Sequence, residues 1–199
     1  MNVNHPEYWN HIYVNERPRW DLGKATPVFE NWLNSRNTLG TGRMAVLGCG
    51  TGHDALLFAE NGFEVTAIDF AAEPLRYLKK NIPPDRQNIR LLKADLFNLP
   101  STYAGHFDFV LEYTCYCAID PMRRDEYVKA VHHILRPGGY LIGLFFPTDG
   151  RAGGPPFSIR YEEIEEKFMK QFTVVLDEVP QDSVPKRSGK ERFVVLQKK

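Results

Sequence analysis

Val46-Leu47-Gly48-Cys49-Gly50-Thr51-Gly52 decides how the rest of this 199-residue chain is read. It leaves a short apolar run, Arg43 to Leu47, which stops at glycines as a buried strand would. It opens a helical stretch, Asp54 to Asn61, closed by Asn61-Gly62 as a C-cap. Glycine lets the backbone turn sharply and lets a ligand approach it closely. The free N–H groups of the helix start that follows suit an acceptor or a negatively charged group. The next apolar run, Phe63 to Ile68, ends in Asp69, 21 residues after Gly48. A carboxylate at the tip of a second strand is placed to accept both hydroxyls of a ribose.

The alternation continues outward. Pro74 suits the start of a helix whose apolar side is Leu75, Leu78 and Ile82, and Pro83-Pro84 stops it. Ile89 to Lys93 and Phe107 to Leu111 read as strands. Tyr127, Val131 and Ile134 mark one face of a helix, which Arg136-Pro137-Gly138-Gly139 ends in a turn. Tyr140 to Phe146 is an apolar strand, and Ile164 and Phe168 suit a helix after the Pro155-Pro156 loop. Phe172 to Val179 and Arg192 to Gln197 follow with no helix between them, so they pair antiparallel at the sheet edge. Pro180 to Lys190 between them reads as a mobile polar loop. The expected fold is α/β: a seven-stranded, mostly parallel Rossmann-like sheet with an antiparallel edge and helices on both faces. Residues 1–199 make one domain, with 1–40 as an N-terminal extension.

Composition narrows the function. Twenty-five basic residues balance 25 acidic ones, which argues against an electrostatic grip on nucleic acid or on an anionic membrane. No apolar run approaches the ~18–20 residues of a membrane span, and Met1 to Trp9 is polar and aromatic, unlike a signal peptide. Cys49, Cys115 and Cys117 read as free thiols of a reducing, cytoplasmic setting. With no second cysteine pair, no metal site is expected.

Dinucleotides and S-adenosylmethionine both fit a glycine turn with a distal acid. The dinucleotide fingerprint is G-x-G-x-x-G, and here its third glycine falls on His53. Asp54 would face a pyrophosphate, whereas a zwitterionic methionine moiety tolerates it better. Asp95 follows the third strand, where an acid can accept from an adenine amino group while Leu96 packs on the ring.

These residues resemble the class I S-adenosylmethionine-dependent methyltransferases, and within them the thiopurine S-methyltransferase superfamily, especially the plant-type thiol and halide methyltransferases. Tyr8-Trp9 with Arg19-Trp20-Asp21-Leu22-Gly23-Lys24-Ala25-Thr26-Pro27 resembles the family's cofactor-covering motif. Gly48 to Asp54 matches its glycine turn, Glu112 to Ile119 the segment after the fourth strand, and Gly153-Gly154-Pro155-Pro156-Phe157 a loop near the substrate. The resemblance implies cofactor contacts at Trp9, Trp20, Gly48, Asp69, Asp95, Leu96 and Tyr113, with Tyr13 where relatives often carry a second tryptophan. Cys49, Gly50 and Phe70 join them as neighbours in the same turns. Phe157 and Tyr116 are the candidate acceptor contacts, and Phe157 stands where plant-type members carry a tyrosine. The implied partner is a small methyl acceptor with a soft nucleophile: a thiol, bisulfide, halide or thiopurine-like sulfur. A methyltransferase of another small molecule or of a macromolecule, and a cofactor-binding protein without catalysis, are the competing readings. The expected assembly is a monomer or weak homo-oligomer.

Several residues keep a plainer reading at this stage. His53 serves a helix start or the site equally well, and His132-His133 reads as surface. Lys186, Arg187, Lys190 and Arg192 read as a solvated loop, and Arg151 as exposed or as a partner for an anion.

Overall fold

The computed structural model describes residues 2–16, 18–35 and 38–199. Seven apolar runs form one sheet: β1 (Arg43–Leu47), β2 (Glu64–Asp69), β3 (Ile89–Lys93), β4 (Phe107–Tyr113), β5 (Leu135–Phe145), β6 (Phe172–Glu178) and β7 (Arg192–Lys198). Their order is β3-β2-β1-β4-β5-β7-β6. β1 to β5 pair parallel, and β7 runs antiparallel to both β5 and β6. The antiparallel pair therefore sits at the edge as expected, with β7 inserted between β5 and the outermost β6.

Helices cover both faces, as right-handed crossovers require. α2 (Pro27–Ser35) and α3 (His53–Glu60) bury Phe29, Trp32 and Phe58 on one side, with Val46, Ala67 and Leu111 of the sheet. α5 (Arg124–Ile134) and α6 (Tyr161–Phe168) bury Tyr127, Val131, Ile134 and Phe168 on the other, against Ala45, Val110 and Leu141. Among the described residues no helix is long and apolar enough to cross a membrane.

One turn is not where the sequence put it. α5 runs straight into Leu135, which already pairs with Phe107, and Arg136 to Gly139 form a bulge before Tyr140 pairs with Phe109. Pro137 has no N–H to give the ladder, and Asp108 opposite takes the Arg136 guanidinium at 2.5 Å instead.

α1 (Pro6–Asn15) lies on α4 (Ala72–Asn81). α4 starts without a cap of its own, because Ala71 offers no side-chain acceptor. Asn10 Oδ1 supplies it from α1, accepting from the Ala72 N–H at 2.9 Å and the Glu73 N–H at 3.1 Å.

The parallel strands all end on one rim. The chain leaves β1 toward β2 and β3, then returns to β4 on the other side of β1. Ligands of open α/β sheets sit above that reversal.

Candidate functional site

A chamber of about 560 Å³ opens above the ends of β1, β2 and β4, within the usual size of a small-molecule site. Its floor is the glycine turn. Gly48 and Gly50 have φ of +56° and +54°, a region that favours glycine. A Cβ on Gly48 would lie 2.8 Å from Cys115 Sγ, and one on Gly50 2.9 Å from Tyr13 Oη. Any larger residue would fill the cradle.

Asp69 braces this floor. Its Oδ2 accepts from the Gly50 N–H at 3.1 Å and its Oδ1 from the Ala71 N–H at 2.9 Å. A carboxylate has about four acceptor positions, so capacity remains for a ligand. Burial raises its pKa to about 6. Asp95 caps a short 3-10 turn, accepting from the Phe97 N–H at 3.0 Å, and Leu96 and Phe97 line the chamber beside it. Arg123 stacks over the Phe97 ring at 3.7 Å.

The N-terminal segment forms the roof. Trp9 and Trp20 meet edge to face at 5.5 Å, and Tyr13 and Trp20 at 5.9 Å. The Trp20 indole N–H donates to Tyr13 Oη at 3.2 Å. The segment is pinned to the glycine turn. Asp21 accepts from Thr51 Oγ1 at 2.8 Å and lies 3.3 Å from His53 Nε2. Asp54 accepts from Thr26 N at 2.7 Å and Thr26 Oγ1 at 2.9 Å. His53 and Asp54 thus hold the roof down, a role their place at a helix start did not reveal.

The far wall comes from β4 and the two loops beside it. Tyr113 ends β4 in the chamber. Thr114 follows with φ +58°, costly for a β-branched residue. The buried Glu112 carboxylate holds this strained turn, accepting from the Cys115 and Tyr116 N–H groups at 3.1 and 2.8 Å and from the Tyr127 hydroxyl. Burial pushes the Glu112 pKa up to about 7. Thr114, Cys115 and Cys117 line the chamber, and burial keeps the two thiols protonated.

Arg187 completes the wall. It is 5% exposed, not solvated as its loop position suggested. One guanidinium nitrogen donates to Tyr113 Oη, the other to the Trp20 carbonyl at 2.7 Å. The loop is ordered around it by bonds from the Arg187 N–H to Val184 O (2.8 Å) and from the Lys190 N–H to Arg187 O (2.9 Å). Arg187 lies 4.8 Å over the Phe146 ring. Arg151 also lines the chamber, 5.3 Å over the same ring, with its charge shared with Asp149 at 2.6 and 2.8 Å.

All eleven residues expected at the cofactor, from Trp9 to Tyr113, line this one chamber. The two expected at the acceptor do not. Tyr116 has no exposure; its hydroxyl donates to Glu163 at 2.8 Å, and its ring packs on Tyr127, Phe145 and Phe168. Residues 115 to 119 coil after β4, so neighbouring side chains point different ways, and Cys115 and Cys117 face the chamber in its place. Phe157 turns its ring onto Gly154, while Pro155 and Pro156 line the chamber. Its main chain is what matters: Phe157 N–H donates to Cys117 O at 2.7 Å, and its carbonyl accepts from Arg124.

Comparisons with known proteins identify the family. The family model described as Thiopurine S-methyltransferase matches residues 4–199. Thiocyanate methyltransferase 1 of Arabidopsis thaliana is 30% identical over 188 residues, covering 93% of this chain and 82% of that protein. Probable thiol methyltransferase 2 of the same plant is 33% identical over 168 residues, covering 83% and 73%. Among solved structures, the Burkholderia thailandensis 1,6-didemethyltoxoflavin-N1-methyltransferase, bound to 1,6-didemethyltoxoflavin and S-adenosylhomocysteine, superposes with a TM-score of 0.77 at 22% identity. It covers 98% of this chain and 87% of that one. The chain belongs to the thiopurine S-methyltransferase family and is an S-adenosylmethionine-dependent methyltransferase.

Proposed function

We propose that the enzyme methylates a small, soft sulfur nucleophile or an equivalent anion. The observation that carries this reading is the far wall of the chamber, where Arg187 and Arg151 stand over Phe146 beside Tyr113. Guanidinium groups on an aromatic surface suit a polarisable anion. The plant relatives named for thiocyanate and thiol methylation support it.

The chamber fits the cofactor on its own geometry: a cradle that a Cβ on Gly50 would fill, and a carboxylate at Asp69 with acceptor capacity left over. When bound, S-adenosylmethionine supplies an electrophilic methyl on a sulfonium. Asp69 takes the ribose hydroxyls, Asp95 the adenine amino group, and Phe70 and Leu96 flank the ring. Gly48, Cys49 and Gly50 bring the backbone close. Trp9, Tyr13 and Trp20 cover the sulfonium end; aromatic faces tolerate a cation and exclude the water that would solvate a nucleophile. Of the 1–40 extension, only the part up to Thr26 acts as this cover, because Val28, Phe29 and Trp32 of α2 pack in the core; one domain spans the chain. The rest of the protein's task is alignment, since holding two reactants in line supplies much of such a rate. Three free thiols fit a cytoplasmic enzyme.

A panel of acceptors with radiolabelled methyl donor tests the reading. Thiocyanate, bisulfide, iodide and small thiols should accept label. Transfer confined to amines, or to nucleic acid or protein, would reject it. The roof gives a second check. S-adenosylhomocysteine should protect the Trp9 to Trp20 segment from limited proteolysis; equal cleavage with and without it would remove the cover role.

A further inference from the structure

Tyr113 stands between the chamber and a buried carboxylate. Its ring packs on Phe29 at 5.8 Å and its side chain lines the chamber. Its hydroxyl donates to Glu191 Oε1 at 2.8 Å and accepts from Arg187. Glu191, the residue before β7, is 2% exposed and lies behind the tyrosine, outside the chamber lining. A phenolic oxygen has one proton and two lone pairs. The proton goes to Glu191 and one lone pair to Arg187, which leaves the second lone pair for whatever occupies the chamber.

The acceptors suited to the far wall fall into two chemical kinds. Thiocyanate and iodide arrive without a proton. An alkyl thiol near neutral pH still carries one, since free thiols ionise around pH 8.5. We propose that Tyr113 and Glu191 form a proton relay that allows this enzyme to use neutral thiols, with Tyr113 as the contact and Glu191 as the terminal proton acceptor. The inference rests on the reading of a sulfur acceptor.

The proton count closes. The thiol S–H proton moves to Tyr113 Oη as the tyrosine's own proton passes to Glu191 Oε1. The freed sulfur lone pair forms the new S–C bond to the methyl. The old C–S bond breaks with its electron pair remaining on the donor's sulfur, which becomes a neutral thioether. The proton on Glu191 leaves to water when the site reopens.

The groups facing Glu191 suit this task. Burial, with the Asp182 charge, raises the Glu191 pKa, while hydrogen bonds from Ser183 and Tyr113 and the Arg187 guanidinium 3.9 Å away favour the carboxylate. The carboxylate thus lies at the end of a hydrogen-bonded path from the chamber, placed to take a proton through Tyr113. Buried carboxylates near a site are tuned in this way for proton transfer.

Glu191→Gln tests the relay, because the amide keeps the shape and can still accept from Tyr113 but cannot take up a proton. The readout is the ratio of kcat with an alkyl thiol to kcat with thiocyanate. The relay predicts that this ratio falls by ~100-fold, the lower end of general-base contributions. In the variant the thiol rate should also climb about tenfold per pH unit below the thiol pKa, following free thiolate, while the native enzyme shows a flatter profile. A readout without turnover uses a cofactor analogue bearing an ammonium in place of the sulfonium. Alkyl thiol added to that complex at neutral pH should show the ultraviolet absorbance of a thiolate in the native protein and lose it in the variant. A ratio that stays constant while both rates fall would overturn the relay and leave Glu191 a structural support. If Glu191→Gln does not fold, Tyr113→Phe gives the same comparison: a fallen ratio supports the relay and a constant one overturns it. Failure of the native enzyme with both acceptor kinds would overturn the acceptor reading and the relay with it.

Discussion

Asp69→Ala should weaken binding of S-adenosylhomocysteine by about five- to more than a hundredfold in a calorimetric titration, on the order of 1–3 kcal/mol. Two losses combine. The variant removes the proposed acceptor of the ribose hydroxyls, and it frees the Gly50 and Ala71 N–H groups that the carboxylate holds. Asp69→Asn should fall between, because an amide keeps one acceptor oxygen. Acid gives an independent check. Burial raises the Asp69 pKa from 3.8 to about 6 in the free protein. Ribose hydroxyls donate to the ionised form, so bound cofactor pulls that pKa down. Affinity is then full above pH ~6 and declines as pH falls through that value, by up to tenfold per unit. The alanine variant should lose this acid limb. Native-like affinity in Asp69→Ala would remove the carboxylate from the site.

Glu163→Ala should cost about 3–5 kcal/mol of folding stability, read as a shift in the urea midpoint, because it strands a buried guanidinium. Arg124 and Glu163 are nearly enclosed and meet at 2.9 Å. Arg124 Nη1, which meets Glu163, also donates to the Ser158 carbonyl (3.2 Å), Nη2 donates to the Phe157 carbonyl (3.3 Å), and Glu163 takes the Tyr116 hydroxyl. The pair therefore fastens the Pro155-Pro156 segment to α5 and α6. Replacing both members with apolar residues, Arg124→Leu with Glu163→Met, should restore much of the stability. It should not restore the acceptor KM, because nothing then holds the Phe157 and Ser158 carbonyls. Equal stability of the single and native proteins would mean the pair contributes nothing.

The parts legible in the sequence are those that depend on near neighbours. The glycine turn, Asp69 at the tip of β2 and Asp95 after β3 are all set within a few residues by strand length and turn chemistry. The same holds for the helical faces of α4 and α5. The parts that escaped depend on partners far along the chain. Asn10 caps a helix 62 residues away, and Arg187 meets Tyr113 across 74. Nothing local distinguishes Arg187 from Lys186 or Lys190, yet one packs into the chamber wall. The bend after β4 put Tyr116, expected at the acceptor, into the core for a related reason. A coiled segment has no period from which to read a face, and here the strained Thr114 and the buried Glu112 set it. Phe157 misled because the loop works through its main chain, and backbone carbonyls leave no trace in residue type.

One guanidinium touches both the roof and the wall: Arg187 holds the Trp20 carbonyl and the Tyr113 hydroxyl together. A roof that lifts to admit the cofactor, as proposed, would therefore also loosen the wall where the second reactant is proposed to dock. Product-inhibition kinetics should then show the nucleoside-bearing partner entering first and its demethylated form departing last. Acceptor anions should then bind measurably only to the cofactor-loaded enzyme.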